Sequence, residues 1–167
     1  MRKILFLDLE ETVITNWVDR EFININKLRQ YINANSFTTI GIFSFAIFSD
    51  KDKRNFTDTL CNDLEDVLQV KITDDLMPTA EEIIAMASRT RFISPPMPER
   101  DFFDFYSKRS GFEEYCLSTP EFANTECILI DDAVEDTRLI LKDREVITLN
   151  VDSLGDTSFT TPLDQLT

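Results

Sequence analysis

The sequence predicts an α/β protein in which a parallel sheet carries helices on both faces. Short apolar runs, each typical of a buried strand, alternate along the chain with segments that repeat apolar residues at helical spacing. Two of these runs end in acids, one in Asp8 and the other in Asp131 and Asp132. Strands that alternate with helices form parallel sheets, and ligands bind at the carboxyl ends of such strands. The predicted fold is therefore Rossmann-like, with acidic residues at its ligand-binding edge.

The first half of the chain predicts three strands and three helices. β-Branched and aliphatic runs mark the strands, and apolar residues three and four positions apart mark the helices. Asn24 or Asn26 is suited to cap the first helix, Ser49 or Asp50 the second, and Thr79 the third. The predicted strands cover residues 3–7, 37 to at least 44, and 70–73, and the predicted helices cover 25–32, a single long segment over 50–68, and 79–88.

The second half continues the alternation after a proline-rich interruption. Three prolines exclude regular structure between Arg91 and Arg100, and Lys108–Leu117 predicts a helix with Phe112, Tyr115 and Cys116 inward. The remaining predicted elements are a strand over 127–130, a helix over 133–142 and a strand over 145–149. The predicted organisation is one α/β domain over residues 1–150, followed by a polar tail over 151–167.

The composition excludes several classes of function. The chain has no histidine among its 167 residues, so a Ser-His-Asp triad and a His-ligated zinc site are impossible. Its 17 basic and 31 acidic residues give a net charge of −14, which repels nucleic acids and anionic membranes and suits the binding of divalent cations. The three cysteines lack Cys-x-x-Cys spacing and indicate a reducing compartment. No apolar run has the length of a signal or membrane segment, so we expect a cytoplasmic protein.

Four motifs occur in a fixed order along residues 3–149. The run FLDLEETV at 6–13 places an acid, a spacer, an acid, a spacer and a threonine after an apolar strand. Ser44 ends the second predicted strand, Lys108 begins the helix before the acidic strand, and ILIDD at 128–132 ends that strand in paired acids. This ordered set resembles the haloacid dehalogenase-like phosphohydrolase superfamily.

The resemblance implies a haloacid dehalogenase-like core and the hydrolysis of phosphomonoesters through an aspartyl phosphate on Asp8. Glu10 would serve as general acid and then general base. Ser44 would hydrogen-bond a phosphoryl oxygen, and Lys108 would offset the charge of the phosphate. The implied cofactor is Mg²⁺, a hard cation that prefers oxygen ligands. Its implied ligands are Asp8, the backbone carbonyl of Glu10 and Asp132, with Asp131 and Asp136 holding the outer shell or a water.

Glu10 departs from the resemblance, because the family usually has aspartate at that position. A glutamate is one methylene longer, and a misplacement of about 1 Å can reduce a rate on the order of 10²-fold. The alternative function is therefore a slow or inactive binding or regulatory protein that retains the metal site. The partner expected from either hypothesis is a small phosphorylated molecule, since the net charge disfavours a nucleic acid end.

Three features leave alternatives open in the sequence. Ser49 competes with Ser44 for the phosphate-binding hydroxyl, and the rivals of Lys108 include Arg109, Lys51 and Arg100. The segment over 74–107 leaves the ligand-binding edge of the sheet, so it either forms a small lid or packs against the sheet. The short connection after the first strand leaves no room for a large cap there, so the expected cap is small or absent.

Overall fold

The structure, which is a computed structural model, describes residues 1–91 and 107–155. Within them, one six-stranded sheet lies between two layers of helices. The strands are β1 (Arg2–Leu7), β2 (Thr39–Ile42), β3 (Lys71–Ile72), β4 (Thr125–Asp131), β5 (Thr137–Leu141) and β6 (Arg144–Asn150). The helices are α1 (Ile25–Ala34), α2 (Asp50–Thr59), α3 (Cys61–Leu68), α4 (Ala80–Arg91) and α5 (Lys108–Ser118).

The strand order β3-β2-β1-β4-β6-β5 confirms the Rossmann-like α/β fold. All neighbouring strands run parallel except β5, which pairs antiparallel with β6 at one edge. Leu7 of β1 is in register with Ile42 of β2 on one side and Ile130 of β4 on the other. The chain adds β2 and β3 on one side of β1 and then crosses to β4 on the other side. Ligand crevices of open α/β sheets lie at such a reversal, outside the carboxyl ends of the strands.

Alternating residues of the central strands divide the core into two layers. Leu5 and Leu7 of β1 pack in the layer that includes the buried residues of α1, α2 and α3. Ile4 and Phe6 point to the opposite layer, which includes the buried residues of α4 and α5. The Phe6 ring contacts Phe112 of α5 edge-to-face, with ring centroids 5.4 Å apart. Both faces of β1 are thus buried, which explains why its sequence is continuously apolar rather than alternating.

The predicted long helix over 50–68 is wrong, because the structure has two helices that meet at Leu60. Leu60 has φ −130° and ψ −32°, outside the helical region. The hydroxyls of Thr57 and Thr59 each bond the carbonyl four residues earlier, a contact that bends and weakens helices. The periodicity was nevertheless informative, because Phe56, Leu60 and Leu64 are all buried in the same layer of the core.

The predicted helix over 133–142 is also wrong, because its second half is the edge strand β5. Along β5 the partly buried residues alternate with exposed ones, a period of two that fits a strand and not a helix. Lys142 adopts a positive φ of 56° in the tight turn to β6. The hydroxyls of Thr137 and Thr148 share a hydrogen bond of 2.6 Å across the two strands. The sheet is consequently mixed, with a single antiparallel pair at this edge.

The structure describes part of the segment over 74–107 and part of the predicted tail over 151–167. In the segment over 74–107, the described part packs against the sheet, because Ile83 and Ala87 of α4 are buried in the core layer that includes Ile4 and Phe6 of β1. The predicted irregular stretch and any lid within residues 92–106 lie outside the described residues. In the predicted tail, Val151 and Leu154 are buried in the core, so the folded domain extends past residue 150. The rest of the tail, residues 156–167, also lies outside the described part.

Candidate active site

Four side chains predicted from three separate motifs meet at the carboxyl ends of β1, β2 and β4. Asp8 directly follows β1, and its amide donates to Ile130 O of β4 at 3.1 Å. Asp131 is the last residue of β4, and Asp132 follows it. Oxygens of the three carboxylates lie within 4.8 Å of one another. Ser44 lies two positions past the end of β2, beside the same crevice.

A tight turn directly after β1 places Thr12 next to Asp8 and Asp132. The carbonyl of Leu9 accepts hydrogen bonds from the amides of Thr12, Val13 and Ile14, at 3.2, 2.9 and 3.1 Å. Glu11 has a positive φ of 64° in this turn. The chain therefore does not enter a helix after β1, and its next residues fold back across the strand end.

Thr12 links the two acidic strand ends through one hydroxyl. Its Oγ1 accepts a hydrogen bond of 3.1 Å from the amide of Asp132. The same oxygen lies 3.3 Å from Asp8 Oδ2 and 3.4 Å from Asp132 Oδ1. A hydroxyl has one proton, so Thr12 donates to one of these carboxylates at a time. The sequence motif contains Thr12 without indicating a role for it. In the structure, its hydroxyl contacts residues at both acidic strand ends.

Lys108 supplies the positive charge at the centre of the acids. It is the first residue of α5, and its Nζ lies 2.8 Å from Asp8 Oδ1 and 3.3 Å from Asp131 Oδ2. Burial lowers the pKa of Lys108, but the charges of Asp8 and Asp131 and the hydrogen bonds to both acids together raise it by more, so the net shift is upward. Its neighbour Arg109 points elsewhere and pairs with Glu113 at 2.9 Å on the surface of α5. The structure thus places Lys108, and not Arg109, in the crevice.

The two candidate serines occupy different environments. Ser44 is 4% exposed and lines the crevice. Its Oγ accepts a hydrogen bond of 3.2 Å from the amide of Ala46, which leaves its own proton available for a ligand. Ser49 is instead the N-cap of α2, where its amide and hydroxyl both donate to Asp52 Oδ2, at 3.0 and 3.2 Å. Ser49 is therefore committed to helix capping.

The clustered acids carry more negative charge than Lys108 offsets. Burial, together with the charges of Asp131 and Asp8, raises the pKa of Asp132 to about 6. Burial is also the largest cause of the raised pKa of Asp131. The charge of Lys108 acts in the opposite direction and lowers this pKa. A divalent cation at this point would relieve the remaining repulsion among the three carboxylates.

The donor set fits a hard divalent cation such as Mg²⁺. All three side chains offer carboxylate oxygens, which Mg²⁺ prefers. In an octahedral site with oxygens about 2.1 Å from the metal, neighbouring ligands are about 3 Å apart and opposite ones about 4.2 Å apart. Spacings within 4.8 Å need only small side-chain adjustments to reach this geometry. Asp136 stands apart from this set, because it does not line the crevice and its Oδ1 accepts a 2.7 Å hydrogen bond from the amide of Asn150.

The acids, Lys108 and Ser44 surround an open crevice of about 450 Å³. Glu10 and Glu11 line it from the turn after β1, and no described residue donates a hydrogen bond to the Glu10 carboxylate. The remaining lining residues are apolar and come from the segments after β2 and β4; they are Phe45, Ala46 and Ala133. Phe45 has no signal of a site residue in the sequence, because an aromatic residue within a strand-like run is typical of the core.

Fold and site together define a Rossmann-like α/β protein with a carboxylate-rich crevice at the topological reversal of its sheet. No protein-family model matches the chain, and comparison with curated proteins and with solved structures gives no significant match. None of the helices in the described part of the chain has the length and apolar character needed to cross a bilayer.

Proposed function

We propose that this chain is a Mg²⁺-dependent phosphomonoester hydrolase of the haloacid dehalogenase-like type that acts through an aspartyl phosphate on Asp8. The observation that carries the proposal is the convergence of Asp8, Ser44 and Lys108 with the acid pair after β4 at one edge of the sheet. A nucleophilic carboxylate, a hydroxyl donor, a fixed ammonium and a hard-cation donor set are the groups that this chemistry requires. Burial of the three free thiols, Cys61, Cys116 and Cys127, supports a cytoplasmic location.

In the first half-reaction, a carboxylate oxygen of Asp8 attacks the phosphorus atom. The bond between phosphorus and the ester oxygen breaks, and Glu10 delivers a proton to the departing alkoxide. Ser44 donates a hydrogen bond to a phosphoryl oxygen, using the proton that its contact with Ala46 leaves available. Lys108 offsets the charge that the phosphoryl group brings beside Asp8.

In the second half-reaction, water attacks the phosphorus atom of the aspartyl phosphate. Glu10, now ionised, accepts a proton from that water, and Asp8 departs as a carboxylate. Inorganic phosphate leaves, and both acids return to their starting states. A Mg²⁺ ion held by Asp8, Asp132 and the backbone carbonyl of Glu10, with Asp131 beside it, would supply neutralisation of the phosphoryl oxygens.

The alternative is a binding or regulatory protein that keeps the metal site and turns over slowly. The longer side chain of Glu10 favours this second candidate, because general-acid catalysis depends on close positioning. The two candidates differ in the fate of the aspartyl phosphate. Rapid formation of one equivalent without continued phosphate release supports the second candidate, and steady release supports the first.

A phosphatase screen with Mg²⁺ tests the proposal. The panel includes small phosphomonoesters and phosphopeptides, and the matched control is Asp8→Asn, which is nearly isosteric but not nucleophilic. We expect the parent protein to release phosphate from at least one small ester, and mass spectrometry of the quenched reaction to detect a phosphoryl group on Asp8. Release by Asp8→Asn at the parental rate would contradict the assignment of the nucleophile.

A further inference from the structure

One aromatic ring occupies the wall of the crevice beside the groups assigned to phosphate. Phe45 directly follows Ser44, is partly exposed and lines the crevice. The Nζ of Lys108 lies 4.8 Å from the centroid of the Phe45 ring. Phe45 is thus adjacent in sequence to the predicted phosphate-binding hydroxyl and adjacent in space to the predicted phosphate-binding cation.

Gly111 of α5 makes room for this ring. A Cβ atom built on Gly111 would lie 2.9 Å from Cζ of Phe45, which is closer than real side chains approach. Gly111 is therefore the residue type that lets the ring pack directly on the helix backbone. Phe43 lies on the inner side, with its ring centroid 5.8 Å from that of Phe45. These contacts fix the ring in place as a preformed apolar surface.

The charges of the crevice restrict what the rest of a substrate can carry. Among the described lining residues, Lys108 is the single cation, and it already contacts Asp8 and Asp131. Five carboxylates line the same space: Asp8, Glu10, Glu11, Asp131 and Asp132. A second anionic group on the substrate would meet these acids, and the described lining residues offer it no further cation to pair with. A cationic group on the Phe45 ring would lie close to the ammonium of Lys108, a like charge.

Resting on the proposed function, we propose that the site selects phosphomonoesters whose leaving group is uncharged and apolar, with Phe45 as the surface that contacts it. Apolar area buried against the ring contributes binding energy, and an aromatic leaving group adds favourable ring contacts. Ala46 and Ala133 extend this apolar wall. Phe45 is then the residue that determines specificity, while Ser44 beside it binds the phosphoryl group.

Binding of unreactive phosphonates tests this specificity apart from turnover. Titration calorimetry with Mg²⁺ compares benzylphosphonate with 2-hydroxyethylphosphonate, 2-aminoethylphosphonate and phosphonoacetate, whose side groups are respectively aromatic, polar, cationic and anionic. We expect benzylphosphonate to bind about tenfold more tightly than the hydroxyethyl compound. We expect the anionic compound to bind most weakly. Tighter binding of the cationic, polar or anionic compound than of benzylphosphonate would overturn the proposal.

Variants of Phe45 test whether the preference for benzylphosphonate depends on the Phe45 ring. Phe45→Ser should remove most of the tenfold preference and leave the affinity for inorganic phosphate within about threefold. If Phe45→Ser does not fold, Phe45→Leu keeps an apolar side chain and should reduce the preference for the aromatic compound by about threefold. The matched control is Phe37→Leu, which alters a partly buried ring packed in the opposite core layer. An undiminished preference for benzylphosphonate in Phe45→Ser would overturn the proposal. If Phe45→Ser does not fold, an undiminished preference in Phe45→Leu would overturn it.

Hydrolysis of matching phosphomonoesters separates failure of this inference from failure of the proposed function. Benzyl phosphate should be hydrolysed with a kcat/KM about tenfold above that of 2-hydroxyethyl phosphate. Steady hydrolysis with the opposite preference would overturn the specificity and leave the phosphatase assignment intact. Preferential binding of benzylphosphonate without hydrolysis of any ester would overturn the phosphatase assignment and support the apolar surface.

Discussion

Lys108 and Asp8 form an ion pair with Nζ and Oδ1 2.8 Å apart, although 100 positions separate them in the chain. The side chains are only 13% and 8% exposed, so the pair is shielded from water. Asp131 extends the pair into a group of three at 3.3 Å. Helix α5 therefore supplies the cation on which the two acidic strand ends of the sheet depend.

Lys108→Ala should weaken binding of phosphate or vanadate at least tenfold, because the anion would then face uncompensated carboxylates. Loss of one partner from a buried ion pair should also lower the free energy of unfolding by about 3 kcal/mol. Arg109→Ala is the matched control, since Arg109 is 46% exposed and pairs only on the helix surface; it should cost no more than about 0.5 kcal/mol. Calorimetric titration and urea denaturation measure the two effects. Equal losses of anion binding in the two variants would contradict the role of Lys108.

Mg²⁺ should raise the thermal stability of the parent protein, because the ion binds the folded acid cluster and not the unfolded chain. At a concentration about 100 times the dissociation constant, the gain is about 2.7 kcal/mol. Asp132→Ala should abolish most of this gain. Asp136→Ala is the control, because Asp136 bonds the amide of Asn150 outside the crevice. Melting curves with Mg²⁺ and with chelator provide the measurement, and a full Mg²⁺ shift in Asp132→Ala would remove Asp132 from the ligand set.

The raised pKa of Asp132 predicts how the stability of the metal-free protein depends on pH. Burial and the charges of Asp131 and Asp8 raise this pKa to about 6 in the folded protein, above the usual value of 3.8. Between these values the folded state binds the proton more tightly, so stability from this group increases as the pH falls from 7 to 4. Asp132→Asn should therefore be more stable than the parent at pH 7 in chelator, with a smaller gain on acidification. The exposed Asp58→Asn serves as control in melting curves across that range, and an Asp132→Asn variant less stable than the parent at pH 7 would contradict the repulsion.

Thr12→Val should destabilise the protein, because the partly buried amide of Asp132 would lose its acceptor. An unpaired buried donor costs about 1–3 kcal/mol, and the lower end of this range applies to a partly buried one. Thr12→Ser keeps the hydroxyl and should restore most of the loss, which separates the hydrogen bond from the packing of the methyl group. Urea denaturation of the three proteins measures the difference, and equal stability of Thr12→Val and the parent would show that the link between the strand ends contributes nothing.

The convergence of the acidic strand ends was easier to predict from the sequence than the edges of the fold. Asp8 and Asp131 were identifiable because a parallel sheet brings the ends of buried strands together whatever the intervening chain does. The strand β5 was missed because Val134 and Leu141, seven positions apart, fit a helical spacing as well, and pairing with β6 decides between the two. The break at Leu60 depends on hydroxyl contacts that leave the apolar periodicity unchanged.

Phe45 shows a different limit of sequence reasoning. Its position after Ser44 is typical of a buried strand residue, and nothing local indicates that its ring faces a crevice. The position of the ring depends on Gly111, a helix residue far along the chain whose missing side chain leaves space for the ring to pack on the helix. Contacts of this kind arise from tertiary packing and have no signal in the local sequence pattern.

Glu10 provides the last prediction, because its carboxylate must reach the leaving-group oxygen while Asp8 attacks from the other side of phosphorus. The hydrogen bonds that Leu9 O accepts fix the backbone of this turn, so a change of side-chain length moves the acid and not the main chain. Glu10→Asp should therefore leave the affinity for Mg²⁺ nearly unchanged and raise turnover, since the shorter acid needs no folding back of the side chain. Glu10→Gln should keep Mg²⁺ binding and lose general-acid assistance of about 10²–10⁴-fold. Steady-state kinetics with an ester that has a poor leaving group measures both effects, because such a leaving group needs the proton. A Glu10→Asp variant with slower turnover than the parent would show that the crevice requires the longer acid. A Glu10→Gln variant with the parental turnover would show that Glu10 is not the general acid.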